Sequence, residues 1–297
     1  MTNPLETVDL GKRYGKDWAL RDCTLVIPPG SVTALIGPNG SGKSTFLRMA
    51  VGLATPSSGS IATLGLDPRD DAPQLLPRIG FVAQDRPLYA RLTVDEMLEV
   101  GVRLNRVWDR PYARSRLGHL GIDCNKKVGK LSGGQQAQVA LVLALAKHPE
   151  LILLDEPTAS LDPLARRGFL QVLMDAVATD GATVVFSSHN VPDLERVCDQ
   201  LIILTHGTVR IAAELDDFLA THRLLIGPLA LSADLSHVGD VVHASTTDRQ
   251  ITLLVRANGH LYDARWDVRE AGFEELVLAY LASAGSAERD DQARRAS

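Results

Sequence analysis

Nine residues, Gly37 to Thr45, read GPNGSGKST and fit the spacing G-x-x-x-x-G-K-[ST]. A loop of this kind wraps a β-phosphate in backbone N–H groups. The glycines at 37, 40 and 42 permit the close approach and unusual φ angles that such wrapping needs. Lys43 is placed to reach the β- and γ-phosphates of a nucleotide, and the Ser44 hydroxyl to ligate Mg²⁺. A chance glycine-rich turn containing Lys-Ser is the competing account, and the order strand, loop, helix weighs against it. A second chemical pair stands in LILLDEP, Leu151 to Pro157. Asp155 ends an apolar run, where a carboxylate can hold Mg²⁺ through water. Beside a γ-phosphate, Glu156 would polarise an attacking water as a general base. Neighbouring residues of a strand point to opposite faces. Both acids can therefore serve one site only if the chain turns at the strand's end.

These groups need elements to position them. SVTALIG, just before the loop, is a β-rich run ending in glycine, and KSTFLRMAVGL after it has helical character. The N-terminus of that helix brings its positive dipole end to the phosphate. LILLD is a continuous apolar run, as expected of a parallel strand buried on both faces. ATVVFSS and QLIILTHG repeat the pattern, and VPDLERVCD between them reads as helical. Strands alternating with helices predict an α/β domain with a mainly parallel sheet. Upstream, residues 6–36 read as strands broken by turns, and PSSGSIATLGLDP as turn, strand and turn. From about Pro87 to Leu120 the pattern is helical, with VDEMLEVGVRL starting after an N-cap at Thr93. After about Leu219 the texture changes. GDVVHASTTDRQITLLVRANG looks like a small β unit, and Phe273, Leu276, Val277, Tyr280 and Leu281 fall at helical spacing. The tail SAERDDQARRAS mixes both charge signs with small residues and is expected to be disordered.

Composition bounds the function. A chain of 297 residues holds one large domain plus an appendage, or two modest domains. With 45% hydrophobic and 23% charged residues it has the makings of a globular core. The net charge of −5 argues against nucleic-acid binding, which needs a basic face. Cys23, Cys124 and Cys198 show no CxxC spacing and no paired framework, which fits a reducing compartment. The start, MTNPLETVDLGKRYG, has no apolar h-region, so no signal peptide is expected. The longest apolar run, Val139 to Ala146, falls far short of the ~18 residues of a membrane helix. Any membrane link is expected to come through a partner.

LSGGQ, Leu131 to Gln135, changes the weight of all these features. It resembles the signature motif of ATP-binding cassette (ABC) proteins, which also lies just upstream of an Asp-Glu strand. The rest of that family's pattern follows in order: Tyr14 in KRYG, Gln84 in FVAQD, Ser160 to Pro163 as SLDP, and His189 in SSHN. Together these motifs cover roughly residues 5–215. The resemblance implies an α/β P-loop NTPase cassette. Its parts would be a mainly parallel core sheet, an antiparallel N-terminal β subdomain, a helical subdomain, and a small C-terminal α+β appendage. The implied division is a cassette over 1–220 with its helical subdomain at about 87–148, an accessory segment over 221–284, and a disordered tail over 285–297.

The resemblance also implies ATP and Mg²⁺ as cofactors, and roles for residues. Gly37, Pro38, Asn39, Gly40, Ser41, Gly42, Lys43, Ser44 and Thr45 would hold the phosphates, and Tyr14 would stack on adenine. Ser44, Gln84 and Asp155 would serve the metal. Glu156 would act as base, with Gln84 and the switch residue His189 at the γ-phosphate. Ser132, Gly133, Gly134 and Gln135 would face the γ-phosphate bound by a second ATPase subunit, with Asp162 in the loop that crosses the interface. The partners would be that second subunit, in a homo- or heterodimer, and an integral membrane permease. The chain would sit in the cytoplasm, peripheral on the inner face of the membrane.

With the appendage that ends in GFEELVLAYL, the chain looks most like the ATPases of two-component drug and antibiotic exporters, which would imply export. The alternative is a soluble ABC ATPase acting on ribosomes or DNA. That alternative is disfavoured by the single cassette, the acidic balance and the lack of sustained heptads. A small-molecule kinase would leave LSGGQ unexplained. One departure stands out: Gln138 occupies a position, three after the signature glutamine, that is often basic in the family.

Overall fold

Apolar runs bounded by turn residues become strands wherever the pattern predicts them. The computed structural model describes residues 2–159, 161–189, 191, 194–233, 235, 238–257 and 265–283. Ser160, Asn190 and the tail 285–297 lie outside the described residues. In chain order the elements are β1 (Leu5–Tyr14), β2 (Asp17–Ile27), β3 (Val32–Ile36), α1 (Lys43–Ala50), β4 (Ser58–Thr63), α2 (Ala72–Leu75), β5 (Ile79–Val82), α3 (Val94–Leu104) and α4 (Arg110–His119). Then come α5 (Gly133–Leu145), β6 (Leu151–Leu154), α6 (Pro163–Asp180), β7 (Thr183–Ser188), β8 (Gln200–Thr205), β9 (Thr208–Glu214) and α7 (Leu215–Ala220). The chain closes with β10 (His222–Pro228), β11 (Asp240–Thr246), β12 (Gln250–Arg256), β13 (Asp267–Glu270) and a helix α8 at 273–283.

The central sheet has six strands in the order β5-β6-β7-β3-β8-β9. All neighbours pair in parallel except β8 with β9. Every residue of β3, β6 and β7 is buried, as strands covered on both faces must be. Alternate residues serve two cores. Leu35, Leu153 and Val185 pack with Phe46 and Leu47 of α1, whereas Ile36, Leu154, Val184 and Phe186 join the core of α5 and α6. The strand order matters for function. It brings the carboxyl ends of β3, β5, β6 and β7 to one edge, the place where open α/β sheets bind ligands. The antiparallel sheet β2-β1-β4 flanks this unit and carries Tyr14 at the end of β1.

Thr93 caps α3 as expected, within a full capping box with Glu96. Of VPDLERVCD, Pro192 and Asp193 lie outside the described residues; Val191 is in a 3-10 turn, and 194–197 form a hydrogen-bonded turn in which the Cys198 N–H donates to the Leu194 carbonyl at 3.0 Å. The far end of this segment is fastened to β3: the Val32 N–H donates to Asp199 Oδ2 at 2.9 Å, and the Asp199 N–H to the Val32 carbonyl at 2.9 Å.

The third sheet, β11-β12-β10-β13, is antiparallel throughout. Its residues also divide by period two. Leu225, Leu253 and Val255 form a small core with Trp266, while Leu224 and Leu254 join the main core together with Phe218, Phe273, Leu276 and Val277. Phe273, Leu276 and Val277 of the expected stripe are buried, and Tyr280 and Leu281 pack partly buried against the same core. Strands from β10 onward thus form their own sheet, but the main core runs across the change near residue 220. Buried His222 helps to make that join: Nδ1 donates to the Phe218 carbonyl at 2.7 Å and Nε2 accepts from the Tyr280 hydroxyl at 2.7 Å. No helix among the described residues is long and apolar enough to cross a membrane.

Candidate active site

The loop between β3 and α1 is shaped by what glycine allows. Gly42, the N-cap of α1, has φ 106°, a conformation that side chains rarely adopt. At Gly37 a Cβ would run into the Leu204 carbonyl and the Ser41 hydroxyl. The turn so formed buries Lys43 to 5% exposure, with its ammonium turned back into the loop. Nζ donates to the carbonyls of Gly37 at 2.7 Å and Pro38 at 3.2 Å, and lies 3.2 Å from Glu156 Oε1.

The acid pair comes from the end of β6. Asp155 continues the face of Leu153 and so points toward α1, where its Oδ1 accepts from Ser44 Oγ at 3.0 Å. Glu156 should point the other way. Instead its φ of 47° turns the backbone into the left-handed region and returns its carboxylate to the same site. That is the turn the two acids require. His189, just beyond β7, places Nδ1 at 2.7 Å from Glu156 Oε2. A carboxylate only accepts, so Nδ1 carries the proton.

Two polar atoms in this cluster are left over. Ser41 Oγ is buried and makes no hydrogen bond among the described residues, and Glu156 Oε1 has only the Lys43 charge beside it. Buried hydroxyls without partners are uncommon in native proteins and call for an explanation. A phosphate in the cradle would give the Ser41 hydroxyl an acceptor. Ser44 Oγ and Asp155 Oδ1 supply the hard oxygen donors that suit Mg²⁺. The residues present therefore fit both groups. Around them opens a cavity of about 400 Å³ lined by residues 39–45, Tyr14, Ala19, Gln84 and Glu156. Tyr14 stands at 51% exposure at the cavity's edge, with Lys12 Nζ over one face of its ring, 5.1 Å from the centroid.

The LSGGQ residues lie apart from this cavity: none of residues 132–135 lines it. Ser132 is the N-cap of α5, its Oγ accepting from the Gln135 N–H at 3.2 Å while Gln135 Oε1 accepts from the Ser132 N–H at 3.2 Å. The S-x-x-Q spacing is a legible capping box, and it engages the Gln135 side chain within its own helix. The two glycines differ. A Cβ at Gly133 would meet nothing, whereas one at Gly134 would come within 2.8 Å of the Ala165 side chain on α6. Gly134 is thus demanded by packing, and Gly133 is open to approach from outside.

Asp162 caps α6, accepting from the N–H groups of Leu164 at 3.0 Å and Ala165 at 2.9 Å. Gln138 is buried between α5 and α6, where a Cβ on Gly168 would lie 3.1 Å from its Nε2. It does not line the cavity. Two contacts escaped the sequence reading. Arg86 donates to the Gly133 carbonyl at 3.0 Å, joining the segment after Gln84 to the start of α5. Ser187 bonds both residues of the acid pair.

The model of the ABC transporter family matches residues 20–159, and that of an AAA domain described as a putative AbiEii toxin of type IV toxin–antitoxin systems matches 129–194. The sulfate/thiosulfate import ATP-binding protein CysA of Synechococcus elongatus is 35% identical over 249 residues, covering 79% of this chain and 71% of that protein. The chain belongs to the ABC transporter ATP-binding family. The Nod factor export ATP-binding protein I of Rhizobium johnstonii is 34% identical over 208 residues, covering 68% of this chain and 67% of that protein. Relatives of this ABC chain thus carry names of both transport directions. Among solved structures, the dimeric post-hydrolysis state of the ATP-binding cassette MJ0796 bound to ADP and Pi is similar. Its TM-score is 0.64 at 31% identity, over 71% of this chain and 98% of that one. The cassette fold and membership of the ABC ATPases follow from these likenesses together.

Proposed function

We propose that two copies of this ATPase, or one copy and a related subunit, close around two ATP molecules and drive a separate membrane permease. One observation carries the reading. The phosphate cradle and the signature helix are both fully built, yet the start of α5 does not line the cavity that holds Lys43. A helix start with an exposed Gly133 offers N–H groups to an anion, and the anion it would meet belongs to another copy. In this reading the backbone N–H groups of residues 39–45 and the Lys43 ammonium hold the phosphates, and Tyr14 stacks on the adenine. Ser44, Asp155 and Gln84 hold Mg²⁺, which supplies charge neutralisation at the phosphate oxygens. Glu156 takes a proton from the attacking water. His189, bonded to Glu156 Oε2, holds that carboxylate by the oxygen that Lys43 does not pair with. Ser132 and Gly133 face the partner's γ-phosphate, and Asp162 lies in the connecting loop.

The membrane permease would place the chain on the cytoplasmic face of the membrane. The direction we favour is export. Its support is the appended sheet and helix, β10 to α8, which give this chain the design of a two-component exporter ATPase.

The test is to trap the pair. Glu156→Gln keeps the shape of the carboxylate but takes no proton at neutral pH. With ATP and Mg²⁺ it is expected to stop turnover and accumulate as a dimer in light scattering, alone or with the permease. Normal turnover would remove Glu156 from its role. Direction is tested separately, by the sidedness of ATP-dependent transport in vesicles that hold the co-purified permease.

A further inference from the structure

The geometry points to Ser187 as a positioning residue that sets both acids of the site, Asp155 through its side chain and Glu156 through its backbone. The inference rests on the roles proposed above for these two acids. Ser187 is fully buried near the end of β7. Leu154 pairs with Phe186, so the next position along β7 lies beside Asp155, just past the end of β6. Both side chains lie on the α1 face, being two residues on from Val185 and Leu153 respectively. The Ser187 hydroxyl donates to Asp155 Oδ1 at 2.9 Å and accepts from the Glu156 N–H at 2.8 Å.

Each bond has a consequence. Asp155 Oδ1 also accepts from Ser44 Oγ, so one carboxylate oxygen is held between two hydroxyls, which fixes the plane of the group. Outer partners of this kind orient metal-binding carboxylates. The second bond explains how Glu156 stays in an unfavourable conformation. Its φ of 47° is a left-handed value that a side-chain-bearing residue keeps only when its surroundings hold it. The bond from its own N–H to Ser187 is the anchor. Without it the backbone would relax toward the extended region, and the carboxylate would turn away from Lys43 and His189. An aliphatic residue at 187 would fill the core equally well and supply neither bond.

The test uses the full chain, three substitutions at position 187 and two at the acids. Ser187→Ala removes both bonds, while Ser187→Thr and Ser187→Val form a pair of equal shape that differ only in the hydroxyl. For each, kcat and KM for ATP are measured, together with affinity for a fluorescent ATP analogue in EDTA and in Mg²⁺. Ser187→Ala is expected to lower kcat and the affinity gained on adding Mg²⁺ about 10- to 100-fold, as loss of such outer partners does. Affinity in EDTA should be unchanged. Thr should retain wild-type behaviour and Val should match Ala. A hydroxyl that only stabilises the fold would lower the melting temperature and leave the Mg²⁺ gain intact, which would overturn the assignment. If Ala fails to fold, the Thr–Val pair decides, and equal behaviour of the two overturns it. Glu156→Gln and Asp155→Asn run alongside. If they behave as wild type, the reading of the acid pair fails and Ser187 loses its role with it. If they are impaired and Ser187→Ala is not, only the assignment of Ser187 falls.

Discussion

The helices that follow the two glycine-containing motifs begin in opposite ways. Helix α1 starts at Gly42 with no side-chain cap, inside a cavity, next to a lysine and a glutamate that are each 5% exposed. Helix α5 starts at Ser132 with a complete capping box, at the surface, with Gly133 open on its outer side. The first start is completed by residues from β6 and β7 of the same chain. The second is held in shape by its own first turn and offers its remaining N–H groups outward. A helix leaves its first four N–H groups without internal acceptors, so both starts can receive an anion. Only the first has the cation, the carboxylates and the aromatic ring of a whole site around it. On the proposed reading, the difference means that this chain carries one nearly complete site and one loose half, the design of a protein that works in pairs.

The largest effect is expected where the comparison is most lopsided. Lys43→Ala removes the cation buried at the first helix start and, on the proposed reading, a charge-assisted phosphate contact worth ~2 kcal/mol or more. ATP hydrolysis should be lost and binding weakened, whether or not the permease is present. Wild-type turnover in this variant would break the assignment of the cradle. Ser132→Arg attacks the other start. A bulky side chain there should return the ATP-trapped Glu156→Gln dimer to monomer, while weakening ATP binding to a single chain far less than Lys43→Ala does. Persistence of the trapped dimer would show that α5 does not complete a neighbour's site. A smaller effect is expected at the cavity mouth. Tyr14→Ala should weaken ATP binding by ~1–3 kcal/mol, the usual contribution of stacking on a base, and Tyr14→Trp should be tolerated. Identical ATP titrations of Tyr14→Ala and wild type would make Tyr14 structural.

What could be read from the sequence was what is local in it. The phosphate loop is a fixed spacing next to an apolar strand, so its residues and the α/β fold were legible together. The acid pair was legible too, although the turn that unites the two acids was only a requirement until Glu156 was found in a left-handed conformation. The partners of these groups were hidden because they arrive from far along the chain. Ser187 meets Asp155 because β7 lies beside β6, and Arg86 meets Gly133 because a loop folds over α5. Neither pairing has a local pattern. Asp199, at the end of VPDLERVCD, is likewise tied to β3 with no local sign of it. The S-x-x-Q capping box in LSGGQ was local and could have been read. It engages the Gln135 side chain in the first turn of α5.

The smallest effect expected is also on the α5 side, at its far end, and it depends on pH. His148 follows α5 and stands 3.3 Å from Asp109, the N-cap of α4, and 3.3 Å from Asp180 at the end of α6. Partial burial alone would lower its pKa, but bonding and attraction to the two carboxylates outweigh this and raise it above the ordinary value. A raised folded-state pKa means that the folded chain binds the proton more tightly than the unfolded one. The stabilisation is therefore fully present below about pH 6.5, the unfolded value, and is lost as pH rises through the folded value. Asp109 does not confuse the measurement. Its own pKa is lowered, first by the Tyr112 N–H, so its contribution is lost only as pH falls through the acid range below 3.8. The ring is 40% exposed, so solvent screening limits the effect to about 1 kcal/mol at most. His148→Asn is the matched control. Asparagine tolerates the left-handed backbone at this position, where φ is 48°, and carries no charge. The melting temperature of the wild type should exceed that of His148→Asn at pH 5.5, and the gap should narrow steadily toward pH 8.5. A gap that stayed constant with pH would mean that His148 ties α4, α5 and α6 together as a neutral ring. The pH sensitivity assigned to the signature side of the molecule would then have to be withdrawn.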